Sequence, residues 1–258
     1  MSGLKIKEKT IVVPGEILAA GMDYLPSFGT YREGDNIRAG RLGIAQVEGK
    51  VIKLIPVSGR YLPKRGDMII GKIIDVSMSG WRVEINSPYS AMLMTKEATN
   101  EFIDKGANLT RIYNFDDYIV CGITNVSSQK LVDLTMRGPG LRKLRGGRII
   151  EVNTHKVPRI IGKSGSMVGM IKHATGVNII VGQNGLVWLN SEEPAMEVLA
   201  VETIRKIEAE AHIAGLTDRI KEFLEKKTGK KIELGSEQRE ERKDFERKEF
   251  ENGNGESQ

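Results

Sequence analysis

The chain has 258 residues, a formal charge of +5, 40% hydrophobic side chains and only 5% aromatics. No apolar run approaches the roughly 18 residues of a membrane helix, and the start, MSGLKIKEKT, lacks a signal-peptide core, so a soluble cytoplasmic protein is expected. A single cysteine, Cys121, excludes an internal disulfide or thiolate cluster, and His155, His173 and His212 lack ligand spacing, so neither metal nor cofactor is expected.

The charge is unevenly spread. Residues 236–258 hold eight acidic and five basic side chains, which leaves +8 on the preceding 235. A basic body with an acidic tail suits a polyanionic partner.

Residues 1–62 read as a small all-β module. TIVVPG, LGIAQVEG and KVIKLIPVSG each set β-branched residues beside a turn signal, with no helical periodicity. Residues 63–137 form a second unit that opens on PKRGD. MIIGKIIDVSMSG is a long strand, with a bend or bulge expected at Gly71. WRVEIN and SAMLM follow, then a short helical connection through Lys96 to Asp104, then YIVCGITNV and KLVDLTM. Five strands with a helix between the third and fourth predict an OB-fold barrel, a frequent binder of single-stranded oligonucleotides.

Residues 138–146 belong to a glycine-rich basic linker, RGPGLRKLRGG. Residues 147–235 then run strand (GRIIEVN), helix (157–161), loop (162–165), helix (166–174), strand (VNIIVG), turn (QNG), strand (LVWLN) and a long helix over 193–214. Met196, Ala200, Ile204, Ile207 and Ala211 give that helix one apolar stripe. Thr217 is positioned to N-cap a last short helix through Lys227. Residues 236–258 are charged and poor in aromatics, which predicts a disordered tail.

The loop RIIGKSGSMV contains Gly162-Lys163-Ser164, the close of an ATPase phosphate loop. That motif needs a glycine at the position of Val157, so the ATPase reading fails. The order β-α-GxxG-α-β-β-α instead predicts a type I KH domain, whose loop clamps the backbone of a short single strand. Gly162 and Gly165 would let sugar-phosphate approach main-chain N–H groups, the following helix N-terminus would favour an anion, and Lys163, beside Ser164, adds a positive charge. Ile161, Val168, Ile171 and Ile180 are candidates to line a groove for the bases, although the same residues would serve in a core in any case.

The unit over 63–137 resembles the RNA-binding barrel of the ribosomal S-one type. That family often carries stacking aromatics on its binding face; here the positions are Ser79, Arg82 and Met94, and Trp81 points to the core. With stacking absent, backbone tracking by cations is the main term, and the candidates are Lys64, Arg65, Arg82, Lys96, Lys105 and Arg111. Asp116 and Asp117 are the only adjacent aspartates, too few for two-metal hydrolysis.

A β module, S-one-type barrel and KH domain in this order, with VVPGE, GRYLPKRGD and GQNGLVWL, resemble the RNA-binding cap subunit of the archaeal exosome, the ribosomal-RNA-processing protein four family. The resemblance covers about residues 5–230. It implies a non-catalytic subunit that captures single-stranded RNA, sits as a trimer with copies of itself or a related cap subunit on a ring of RNase-PH-like subunits, docks through its β module and favours adenine-rich tails. It also implies that the turn Gly182, Asn184 and Gly185 supports packing between domains. A transcription-elongation factor, or another stand-alone S-one/KH RNA-binding factor, is the rival reading, although elongation factors usually carry two KH domains and a helical N-terminal region.

Overall fold

The computed structural model describes residues 3–7, 9–57, 59–99, 107–211, 213, 215–229 and 231. The chain divides into two compact units between Arg60 and Tyr61.

The first unit contains β1 (Gly3–Leu4), β2 (Ile11–Val12), β3 (Ile17–Ala20), β4 (Leu25–Pro26), β5 (Thr30–Glu33), β6 (Asn36–Ala39), β7 (Gly43–Glu48) and β8 (Val51–Pro56). They form two four-stranded sheets, β1-β3-β6-β5 and β2-β7-β8-β4. A two-residue loop led by Gly49, at φ 60°, joins β7 to β8, as a tight hairpin requires. Val12, Leu18, Ile37, Ile52 and Leu54 fill the core between the sheets.

In the second unit β9 (Met68–Ser77), β10 (Gly80–Glu84), β11 (Ser90–Met94), α1 (Thr95–Ala98), β12 (Tyr118–Val126) and β13 (Val132–Thr135) come first. The strand order β9-β10-β11-β13-β12 closes back on β9, with only β11–β13 parallel. This is the five-stranded barrel that the pattern predicts. A closed sheet has no bare edge to protect. The bulge falls in β9 between the partners of Arg82 and Val83, past Gly71. Gly71 is a glycine for a different reason: a Cβ there would overlap a Val83 methyl. The helical connection is α1 as far as Ala98; residues 100–106, including Lys105, lie outside the described residues.

β14 (Arg142–Lys143) pairs with Ile119 and Val120 of β12, so the basic stretch is attached to the barrel. The KH-like part follows: β15 (Arg148–Glu151), α2 (Val157–Ile161), α3 (Ser166–Thr175), β16 (Asn178–Val181), β17 (Leu186–Asn190), α4 (Pro194–Glu210) and α5 (Leu216–Thr228). The sheet is antiparallel in the order β15-β17-β16. The helices cover one face, burying Val157, Ile160, Ile171, Ile204, Ile207 and Ile220. The opposite face carries Trp188, Ile149, Ile180 and Leu186, packed against Ile70 and Val120 of the barrel. Both faces are buried, so the strands read as continuous apolar runs.

Two boundaries differ from expectation. α4 stops at Glu210, short of residue 214, and Gly215, at φ 70°, begins α5 in place of Thr217. Glycine takes that left-handed position without a Cβ clash. Residues 236–258, expected to be a disordered tail, lie outside the described residues.

Glu210 ties the last two helices, meeting Lys206 Nζ at 2.7 Å and Arg219 Nε at 2.8 Å. Hydrogen bonds from these two cations hold its carboxyl below the ordinary range. A depressed folded pKa stabilises above the unfolded value of about 4.3 and is lost as pH falls through the folded value. Protection factors of the α5 amides should therefore fall on acidification below about pH 4, and Glu210→Gln should reduce that fall.

Candidate nucleic-acid interface

The GxxG loop lies between α2 and α3. Gly162 has φ 75° and ψ 175°, Ser164 is left-handed at φ 54°, and Gly165 is left-handed at φ 83°. Lys163 and Ser164 are exposed. No side chain caps α3, and its first N–H, that of Ser166, donates to the Lys163 carbonyl.

The two glycines face different surroundings. A Cβ on Gly162 would come within 2.7 Å of the Met167 N and 3.0 Å of the Ser166 Oγ, whereas Gly165 has open space. Gly162 closes the loop onto α3, and Gly165 bares the backbone. The apolar residues named for a groove also separate. Ile171 is fully buried among the helices and Ile180 faces the barrel, leaving Ile161 and Val168 half-buried beside the loop. A strand alternates its faces, which puts Ile180 on the side opposite Ile179.

On the barrel, Trp81 is fully buried, its ring edge-on to Tyr113 at 5.2 Å. Its indole N–H donates to the Tyr113 carbonyl at 2.9 Å, and the Tyr113 hydroxyl donates to the Ala98 carbonyl at 3.2 Å. This chain of contacts joins the segments that carry Arg82, Arg111 and Lys96, all three exposed. Arg82 lies between the buried Trp81 and Val83, opposite Asp75 and Met92. Lys64 and Arg65 are exposed on the turn leading into β9, fixed by Gly66 N–H to Ile123 O at 2.8 Å. Beside it the Tyr61 hydroxyl donates to Asp67 at 2.6 Å, and burial with this bond holds the phenol protonated.

Asp116 and Asp117 are structural. Asp116 meets Lys72 Nζ at 2.7 Å, while Asp117 accepts the Asn114 N–H at 2.7 Å and pairs with Lys143. Burial pushes the Cys121 thiol up to about 12, which keeps it an unreactive core residue. Among the described residues no group of acidic, histidine or cysteine side chains could hold a metal, and no helix is long and apolar enough to cross a membrane.

The turn Gly182–Gly185 is a joint between domains. Asn184 is fully buried, and its Nδ2 donates to Ile70 O at 2.7 Å and Ile85 O at 2.9 Å. Its Oδ1 accepts the Ile70 N–H at 3.3 Å, and Gln183 N–H donates to Met68 O at 2.9 Å. A Cβ on Gly182 would come within 2.8 Å of Ile70 N, and one on Gly185 would overlap the Val152 carbonyl. Sequence reasoning missed Asn86, which donates to the Asn184 carbonyl at 3.0 Å and to Glu151 at 3.3 Å. Its only local signal is the turn INSP.

Residues 147–195 match the KH domain family, and residues 60–125 match the S1 domain of RRP4. The chain is 42% identical over 227 residues to the exosome complex component Rrp4 of Thermococcus kodakarensis, covering 87% of this chain and 88% of that protein. The chain belongs to the Rrp4 family of exosome complex components. The Rrp4 of Methanothermus fervidus is 43% identical over 222 residues, 86% of this chain and 97% of the relative. A crystal structure described as an exosome complex RNA-binding protein superposes with a TM-score of 0.59 at 33% identity, over 65% of this chain and 97% of the other. An Rrp4-family chain is a non-catalytic, RNA-binding exosome subunit with S1 and KH domains. The elongation-factor rival falls away.

Proposed function

We propose that this chain captures single-stranded RNA and delivers it to separate nuclease subunits, acting from the cytoplasm as one of three cap subunits on an RNase-PH-like ring. The observation that carries the reading is the fixed joint at Asn184, which holds an S1 barrel and a KH domain as one RNA-facing body. Electrostatic tracking by Lys64, Arg65, Arg82, Lys96, Lys105 and Arg111 would hold the backbone at the barrel, and the loop Gly162–Gly165 would clamp it at the KH domain. A preference for adenine-rich tails is part of the same reading.

The first unit would dock on the ring. Ile11, Ile44 and Ile55 stand in register across β2, β7 and β8, on the face opposite the buried Val12, Ala45 and Leu54. Ile11 is 63% exposed and Ile55 49% exposed. An apolar row on the solvent side of a sheet suits a protein interface.

The test uses purified protein with and without the ring subunits. Alone it should bind single-stranded RNA with a steep salt dependence and leave it intact; with the ring it should speed phosphorolysis. Lys163→Glu with Ser164→Asp should weaken RNA binding about tenfold, since each adds a negative charge where a phosphate would sit. These changes avoid Gly162, where a Cβ strains the fold. Indifference to RNA at low salt, with ring activity unaltered, would end the reading.

A further inference from the structure

We infer that the strap Arg137–Arg148 is itself an RNA-binding site, one that takes the phosphodiester backbone of a single strand running between the barrel and the KH domain. The inference rests on the RNA-capture reading. The strap carries four arginines and one lysine in twelve residues, with glycines at 138, 140, 146 and 147.

It is held firmly. Arg142 and Lys143 pair with β12, Leu144 N–H donates to Tyr118 O at 2.8 Å, and Leu144 is buried beside Trp188. The Trp188 indole N–H donates to Gly146 O at 2.8 Å, fastening the far end to the KH sheet. Leu141 and Leu144 turn into the packed layer, and Arg142 and Arg145 are left in solvent.

The cations are not equivalent. Lys143 is neutralised by Asp117, and Arg148 meets Glu197 at 2.9 Å. Arg137 donates to the Thr99 carbonyl at 3.1 Å, a bond that leaves its charge unbalanced. Arg142 and Arg145 have no acidic partner among the described residues. The acids present are thus spent on the two cations that hold the strap in place, and the guanidiniums pointing outward keep their charge. Gly140 and Gly146, both at positive φ with open space around a Cβ, leave main chain bare beside them. A planar guanidinium on a fixed backbone matches phosphate oxygens with little entropy left to lose.

Single-strand binding loses about 0.7 in the slope of log K against log salt for each phosphate contact removed. Arg142→Gln with Arg145→Gln, in the full chain, should lower the slope for a single-stranded RNA of about 20 nucleotides by about 1.4, which is about 25-fold weaker binding at 0.1 M salt and none at 1 M. An RNA of about six nucleotides, enough for the KH clamp alone, should bind both proteins equally. Arg142→Lys with Arg145→Lys should recover most of the slope, and the thermal midpoint should not move, since neither side chain is packed. Wild type that binds the longer RNA while the glutamine variant matches it in affinity and slope would overturn the strap site and leave RNA capture standing. Wild type that ignores RNA would overturn both. Unchanged RNA binding with lost ring association would make the strap a protein contact and equally overturn the inference.

Discussion

Asn184→Asp is expected to release the KH domain from the barrel and split one thermal transition into two. The fully buried amide donates to the carbonyls of Ile70 and Ile85. A carboxylate has no donor for either, so both oxygens lose their partner and face a negative charge. Each unsatisfied buried group costs about 1–3 kcal/mol, so the two carbonyls together should cost about 2–6 kcal/mol. Protonating the new acid would restore one donor, so the penalty should shrink on acidification. Calorimetry reads the split, and amide exchange at Ile70 reads the opening. Gln183→Ala is the control: Gln183 is exposed and only its backbone N–H is used, so the change should stay within about 0.5 kcal/mol. A single unshifted transition in Asn184→Asp would show that the packed layer around Trp188 holds the domains without the amide.

Trp81→Ala is expected to be the most damaging single change in the barrel, at about 3–5 kcal/mol for an emptied aromatic site. Trp81→Phe is the more informative variant. It keeps most of the volume but leaves the Tyr113 carbonyl without its indole donor, a loss of about 1–3 kcal/mol. Because the same contact joins the segments bearing Arg82, Lys96 and Arg111, the phenylalanine variant should also bind RNA with a shallower salt dependence. Urea unfolding measures the first effect and salt titration the second. Loss of stability with an unchanged salt slope would mean that the three cations do not act through this node.

Much of the KH domain was legible because its signals are local. α2 falls on 157–161 as predicted and α3 begins at Ser166, each bounded by a glycine whose conformation other residues take only under strain. The barrel was legible from strand count and order. Gly71 shows the limit: its sequence signal is the same for a bulge and for a close approach, and only the position of Val83 on the neighbouring strand β10 distinguishes them. The groove residues fail in a similar way. Ile171 and Ile180 are apolar in either role, and their neighbours decide which role they have.

The sequence alone determined the order of domains, the GxxG loop and the absence of a nucleotide-binding phosphate loop, since each depends on residues close together in the chain. Only the tertiary structure decided what Asn184 grips. Its partners, Ile70 and Ile85, lie about a hundred residues away and contribute backbone carbonyls, which every residue possesses and no sequence distinguishes. The same holds for the charges. Asp117 and Glu197 silence Lys143 and Arg148 through contacts that form only when barrel, strap and KH domain are folded together.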